Sequence, residues 1–226
     1  MVHTDLKFFT NEPERDLYSR FAAILKSNTQ FFDVLVGYFR ASGFFKIYEA
    51  LEQVEKIRIL VGLNVDRYTV KIIDRVNAET KYAAISTADG KEIISDEIEK
   101  EFETAASSAQ VEKGVRVFMD WLKSGKLEMR MYTEAPIHAK VYIMRKDQEK
   151  VLDIFGSVIT GSSNFSEAVL VNNLEFNVEL KDYADVKFAL DKFEELWAQG
   201  TDIRDTYIEH RFGFACKYRR RTDDRM

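Results

Sequence analysis

Two apolar runs separated by one short amphipathic segment constrain this chain more than any other feature. Residues 31–39 read FFDVLVGYF and residues 56–63 read KIRILVGL. Runs this apolar suit strands buried on both faces, where alternation with polar residues is lost. Between them, residues 42–54 place Phe45, Tyr48 and Leu51 at helical spacing, with Ser42 at the start as a cap. A strand, a helix and a second strand in so short a span form a βαβ unit, whose strands pair in parallel. The expected class is therefore α/β. The 226 residues include 17 phenylalanines and only 2 prolines. That is enough apolar material for one domain or a tight pair of lobes, with little sign of a long linker.

The flanking sequence extends this pattern. Residues 13–30 predict a helix with Pro13 in its first turn and Leu17, Phe21, Ile24 and Leu25 on one face. A helical insertion is expected over about 66–124. Its stretch 92–123 reads as one long helix, or two with a break at Gly114; it packs on the sheet or serves as a dimerisation arm. Strands are predicted at 126–133, 138–145, 150–163 and 174–182, a short helix at 165–171 and a long one at 183–199. The whole chain, 1–226, is expected to form a single domain with a tail from about 203. That tail carries the basic cluster CKYRRR, which reads as solvated or as a phosphate contact.

Charge excludes some functions. The net charge is −5 with a pI near 5.4, so no overall basic field draws the chain to nucleic acid. A local basic cleft remains compatible with it. One cysteine, Cys216, cannot form a disulfide within the chain and suits a reducing cytoplasm. The first residues lack the basic and apolar regions of a signal peptide, and no apolar run is long enough to span a membrane. A cytoplasmic protein with no membrane contact is the expectation.

The chemical signal lies at residues 137–165, IHAKVYIMRKDQEKVLDIFGSVITGSSNF. On a strand, residues two apart face the same side, so His138 and Lys140 share a surface. A neutral imidazole can attack as a nucleophile while an adjacent ammonium stabilises negative charge on the transferred group. At the end of the next predicted strand, Gly161, Ser162, Ser163 and Asn164 offer a tight turn with hydroxyl and amide donors. Together with the start of the helix expected at 165, they suit an anion. Glu175 follows, and a carboxylate on one imidazole nitrogen would fix the tautomer of His138. No His/Cys/Asp cluster here has metal-ligand spacing, so neither a metal nor another cofactor is expected.

These residues, in this order, resemble the phospholipase D superfamily, whose signature joins H-x-K to G-S-x-N and a later acidic residue. HAK at 138–140, GSSN at 161–164 and Glu175 in NLEFN carry the resemblance. It is specific over about 125–180 and looser over 5–65. The segments EMRMYTEAPIHAKVYI, FFTNEP and FFDVLVGYFRASGF are similar to the nuclease-like branch found as N-terminal modules of bacterial helicases and in metal-independent restriction endonucleases. The resemblance implies a three-layer α/β/α fold with a mixed sheet and one catalytic motif per chain. It also implies a covalent phosphohistidine on His138, with Lys140, Ser162 and Asn164 holding the phosphoryl oxygens and Glu175 orienting the ring. One position departs from the signature. The family carries an aspartate five residues after the lysine, where this chain has Arg145; Asp147 and Asp153 are out of register.

The family mechanism needs two H-x-K motifs, and this chain has one. His3 lies near the terminus, and His210 has no lysine two residues on. The resemblance therefore implies a homodimer with the site on its two-fold axis. A metal-independent DNA nuclease is the leading expectation. The alternatives are a non-catalytic DNA-binding and dimerising module of a helicase or restriction system, and a lipid phosphodiesterase.

Overall fold

In a computed structural model of the chain, the structure describes residues 7–12, 16–62, 109–146, 155–166, 170 and 173–203. The strand–helix–strand unit forms as expected. Strand β2 (Phe31–Val36) is followed by α2 (Ala41–Ile47), a 3₁₀ turn (Tyr48–Leu51) and β3 (Lys56–Gly62), and β2 pairs with β3 in parallel. Phe45, Tyr48 and Leu51 are buried as their spacing predicts. Ser42 is not the cap: Arg40 holds that position and Ser42 lies inside the first turn.

The remaining elements complete a mixed sheet. These are β1 (Lys7–Phe9), α1 (Leu17–Asn28), α3 (Ala109–Ser124), β4 (Leu127–Tyr132), β5 (Lys140–Arg145), β6 (Gly156–Gly161), β7 (Asn177–Leu180), α4 (Tyr183–Gln199) and β8 (Thr201–Asp202). Among the described residues the strand order is β1-β7-β6-β5-β2-β3-β4-β8. The pairs β2–β3 and β3–β4 are parallel, and the others are antiparallel. β1 and β8 are edge strands of three and two residues, too short to give a periodic signal in sequence.

Helices cover both faces, giving the expected α/β/α layers. On one face, Leu17, Phe21 and Leu25 of α1 join Phe44 of α2, Phe118 of α3 and Tyr142 of β5 in the larger core. Each such side chain contributes about 1.5–3 kcal/mol by leaving water. On the other face, Val186, Phe193 and Trp197 of α4 pack over Leu35, Leu60 and Ile143. Asp16 caps α1 through the Tyr18 and Ser19 N–H groups, whereas Pro13 lies outside the described residues. Gly114 does not break α3: it lies within the helix, where an added Cβ would fall 3.0 Å from the Phe45 ring. Of the helix expected at 165–171, residues 165, 166 and 170 are described, and the Leu170 N–H donates to the Ser166 carbonyl at 3.0 Å; its other residues, the insertion before residue 109 and the tail beyond 203 lie outside the described residues.

Two buried carboxylates tie the layers together. On the α4 face, Asp33 accepts from Arg58 Nε at 2.6 Å and from Arg145 Nε at 3.0 Å. Arg58 continues to Glu194 of α4 at 2.7 Å and lies 4.9 Å from the Phe193 ring centroid. On the other face, Glu179 takes Arg20 of α1 in a two-pronged pair at 2.7 and 2.9 Å and Ser157 at 3.2 Å. Burial works against the Glu179 charge, but the Arg20 guanidinium outweighs it and holds the carboxyl below its ordinary range.

Arg20→Ala leaves a buried charge short of its main partner and is expected to cost about 3–5 kcal/mol in urea unfolding. Arg145→Ala is expected to cost less, because Asp33 keeps Arg58. The Glu179 contribution is complete above the ordinary carboxylate pKa and disappears as pH falls through the lowered folded value. The acid limb of stability against pH should therefore flatten in Arg20→Ala.

Candidate active site

The candidate residues converge because of how β5 pairs. β5 is antiparallel to β2 and to β6. Its first residues therefore lie at the same end of the sheet as the last residues of both neighbours. His138 precedes β5 and Lys140 opens it, so the histidine sits in the approach and not within the strand. The Lys140 Nζ is 3.5 Å from His138 Nε2, which places the two side chains on one surface as the spacing predicts. His138 is exposed and Lys140 half-buried.

Gly37 makes this placement possible. The chain leaves β2 at Gly37, whose N–H donates to the Ala139 carbonyl at 2.9 Å. A Cβ at residue 37 would lie 2.5 Å from the Ile137 oxygen and 3.2 Å from the His138 Cα. Only a glycine allows the two backbones to approach so closely. The apolar reading of 31–39 as one strand hides this exit.

The Gly161–Asn164 turn is held from below. Tyr142 of β5, fully buried, donates its hydroxyl to the Ser163 carbonyl at 2.7 Å. The buried Asn177 amide donates to Ser163 Oγ at 2.8 Å, and its Oδ1 accepts the Ser163 N–H at 3.3 Å. Tyr142 and Asn177 therefore fix the backbone between Ser162 and Asn164. In sequence they read only as strand residues. Burial raises the Tyr142 hydroxyl, with the Glu175 charge adding to the shift, so it stays a neutral donor.

Ser162 and Glu175 meet directly. The Ser162 hydroxyl donates to Glu175 Oε2 and accepts the Phe176 N–H at 3.0 Å. The loop bearing Glu175 is clipped to the N-terminal segment: Glu175 N–H donates to the Thr10 carbonyl at 3.4 Å, and Asn11 Nδ2 to the Asn173 carbonyl at 2.9 Å. Asn11 takes a φ of 62°, a conformation asparagine tolerates better than most residues, and its Oδ1 accepts the Leu17 N–H at 3.1 Å. His138, Lys140, Ser162, Asn164 and Glu175 thus all fall at one sheet end. The structure pairs His138 with Lys140, and Glu175 with Ser162. Asn164 is half-buried, and its carbonyl accepts the Ser166 N–H at 2.9 Å.

A family model described as cardiolipin synthase, PLD-like domain, matches residues 21–197. The chain belongs to this phospholipase D-like family. No curated protein sequence matches it. Among solved structures it is similar to Nuc, a phospholipase D family member from Salmonella typhimurium, at 17% identity and a TM-score of 0.48, covering 88% of this chain and 97% of that one. It is also similar to NucT from Helicobacter pylori at 13% identity and a TM-score of 0.49, covering 88% and 98%. A third is TrmBL2, an archaeal chromatin protein, at 16% identity and a TM-score of 0.41, covering 88% and 55%.

Within this phospholipase D-like domain, the departure at Arg145 has a structural partner. Arg145 closes β5 at the end away from Lys140, roughly 17 Å along the strand at about 3.4 Å per residue. There it bonds Asp33 and lies 4.5 Å from the Phe31 ring centroid. The carboxylate at this end of the sheet is thus supplied by β2, with the guanidinium on β5. Asp147, Asp153, His3 and His210 lie outside the described residues. Among the described residues, no group of three or more His, Cys, Asp or Glu could hold a metal ion, and no helix is long and apolar enough to cross a membrane.

Gly161 tests the turn. A Cβ there would lie 2.2 Å from the Phe176 oxygen and 2.6 Å from Asn177 Oδ1. Gly161→Ala is expected to cost about 1–3 kcal/mol in urea unfolding, as for other overpacked sites. It should also break the hold on Ser163, seen as loss of the Asn177 side-chain amide protons' protection from exchange.

Proposed function

We propose that this domain is a metal-independent phosphodiesterase, foremost a DNA nuclease, working through a phosphohistidine at a site shared by two copies of the chain. The observation that carries the reading is the His138–Lys140 pair, 3.5 Å apart with the imidazole exposed, beside the Ser162 turn. A ring nitrogen of His138 attacks phosphorus, and the P–O bond to the leaving group breaks. His138 of the second copy donates its proton to the departing oxygen. That same ring then takes a proton from water, which attacks phosphorus, and the P–N bond breaks to restore His138. Lys140 and its mate neutralise the charge gathering on the phosphoryl oxygens.

Ser162 and Glu175 have coupled roles in this scheme. A hydroxyl carries one proton and donates to one acceptor at a time. While Ser162 donates to Glu175, it cannot donate to a phosphoryl oxygen. Substrate binding therefore takes the hydroxyl from Glu175 and frees the carboxylate to orient an imidazole. Asn164 supplies a second donor from the same turn. The resemblance to helicase modules and restriction endonucleases supports DNA as substrate and a partner of that kind. A non-catalytic module of such a system is the competing reading, and it expects DNA binding without cleavage.

Plasmid cleavage should survive excess EDTA; abolition by EDTA would remove the phosphohistidine reading. His138→Ala should fold normally and lose all detectable activity. Lys140→Ala should lose about 10²–10³-fold, as when an oxyanion donor is removed. Glu175→Gln should lose less than either. In mixed dimers of wild type and His138→Ala, every shared site lacks one histidine, so the mixed species should be nearly inactive. Half activity would mean that each chain owns its own site.

A further inference from the structure

The segment that leaves β2 joins the two halves of the candidate site. The Gly37 N–H donates at 2.9 Å to the carbonyl of Ala139, the residue after His138. The Arg40 N–H donates at 3.1 Å to the carbonyl of Phe165, the residue after Asn164. Between these two bonds, Phe39 and Phe165 form an isolated parallel bridge, and their rings stack at 5.6 Å. Residues 37 and 40 are separated by at most about 10 Å of extended chain. Arg40 therefore stands on the rim of the site already described.

These groups share one face of the sheet. Lys140 lies two residues before Tyr142 on β5 and so faces the same side, where Tyr142 belongs to the α1-side core and donates to the Ser163 carbonyl. Phe39 and Phe165 are buried in that same core. While Phe39 turns into the core, its neighbours Tyr38 and Arg40 come together outside it. Arg40 has an extended backbone, with φ −124° and ψ 129°, and is exposed; Tyr38 is half-buried. The Arg40 guanidinium carbon lies 4.8 Å from the Tyr38 ring centroid. A stack on an aromatic ring occupies the plane of a guanidinium and not its edge, where the N–H donors lie.

We infer that Arg40, backed by Tyr38, binds the phosphate next to the one held at Lys140 and Ser162, so that the site takes a chain of phosphodiesters in preference to an isolated one. The inference rests on the nuclease reading and narrows its substrate to a polynucleotide. In that scheme Lys140, Ser162 and Asn164 serve the reacting phosphoryl group. Lys140 is half-buried, whereas Arg40 lies exposed on the rim, where a neighbouring phosphate would pass. A guanidinium presents paired N–H donors that match a phosphate, and the stack on Tyr38 limits the freedom it loses on binding. Along a nucleic acid strand each phosphate has a charged neighbour, which a simple diester lacks. With a net charge of −5 the chain has no overall basic field, so the attraction has to come from local contacts of this kind.

The test compares wild type, Arg40→Gln and Arg40→Lys. Hydrolysis is measured on thymidine dinucleotides with and without a terminal phosphate, and on bis(p-nitrophenyl) phosphate. Binding of a single-stranded oligonucleotide is measured by fluorescence anisotropy at several salt concentrations, with His138→Ala added so that the strand stays intact. In wild type a terminal phosphate should raise kcat/KM about 10-fold, the scale of one charge-assisted hydrogen bond. Arg40→Gln should lose that gain and Arg40→Lys keep part of it. Arg40→Gln should also weaken oligonucleotide binding about 10-fold. The slope of log affinity against log salt should fall by about 0.7 for each Arg40 engaged, and Arg40→Lys should keep the wild-type slope. No gain from a terminal phosphate in wild type overturns the inference without any variant. So does an Arg40→Gln protein with unchanged affinity and slope. An equal loss on the dinucleotides and the small diester also overturns it, by placing Arg40 on the reacting phosphate. Loss of binding to phosphatidylglycerol vesicles, with oligonucleotide binding kept, would assign Arg40 to a lipid instead. If wild type hydrolyses none of the diesters, the nuclease reading fails, while the anisotropy comparison still decides the role of Arg40.

Discussion

Strand β5 is hydrogen-bonded antiparallel to β2 on one side and to β6 on the other, and the candidate site depends on that pairing. Had β5 run parallel to β2, His138 and Lys140 would open at the far end of the sheet from Gly37. Instead the end of β2, the approach to β5 and the turn after β6 meet. Side chains separated by more than 20 residues in sequence, such as Lys140 and Ser162, thereby share one edge. Gly37 then brings the backbone of residues 137–139 against the exit of β2, which fixes where the imidazole starts.

The far ends of the same strands carry a different job. Asp33, Arg58, Arg145 and Glu194 join β2, β3, β5 and α4 where no candidate catalytic residue lies. This separates fold support from the candidate site along one strand, with Lys140 at one end of β5 and Arg145 at the other. The missing family aspartate is therefore a change in the support network, remote from the histidine. A buried pair of this kind is costly to break because each charge depends on the other, so the loss of one arginine would be felt more in stability than at the site.

Much of this was legible in the sequence because the apolar runs are long and the motif residues are local. FFDVLVGYF and KIRILVGL gave the parallel pair, and the two-residue spacing of His138 and Lys140 gave their shared surface. The shortfalls have physical causes. β1 and β8 are too short for periodicity, and their pairing is decided by long-range contacts. Arg40 takes the cap position of α2 because the chain crosses there to Phe165, whose carbonyl accepts its N–H at 3.1 Å, and Ser42 follows inside the helix. Asn177 and Tyr142 carried no signal, since a buried polar residue on a strand looks like any other until its partner is known. The hydrogen bond between Ser162 and Glu175 was likewise invisible, because it depends on how the loop before β7 folds against the turn after β6.

The central claim is a covalent intermediate on His138, which makes hydrolysis two successive in-line displacements at phosphorus. The most direct measurement is the stereochemistry of cleavage of an oligonucleotide bearing one phosphorothioate of known configuration, in ¹⁸O-labelled water with EDTA. Two displacements retain the configuration at phosphorus, and retention is the expected result. Inversion would mean that water attacks the substrate directly, and the phosphohistidine account would be wrong.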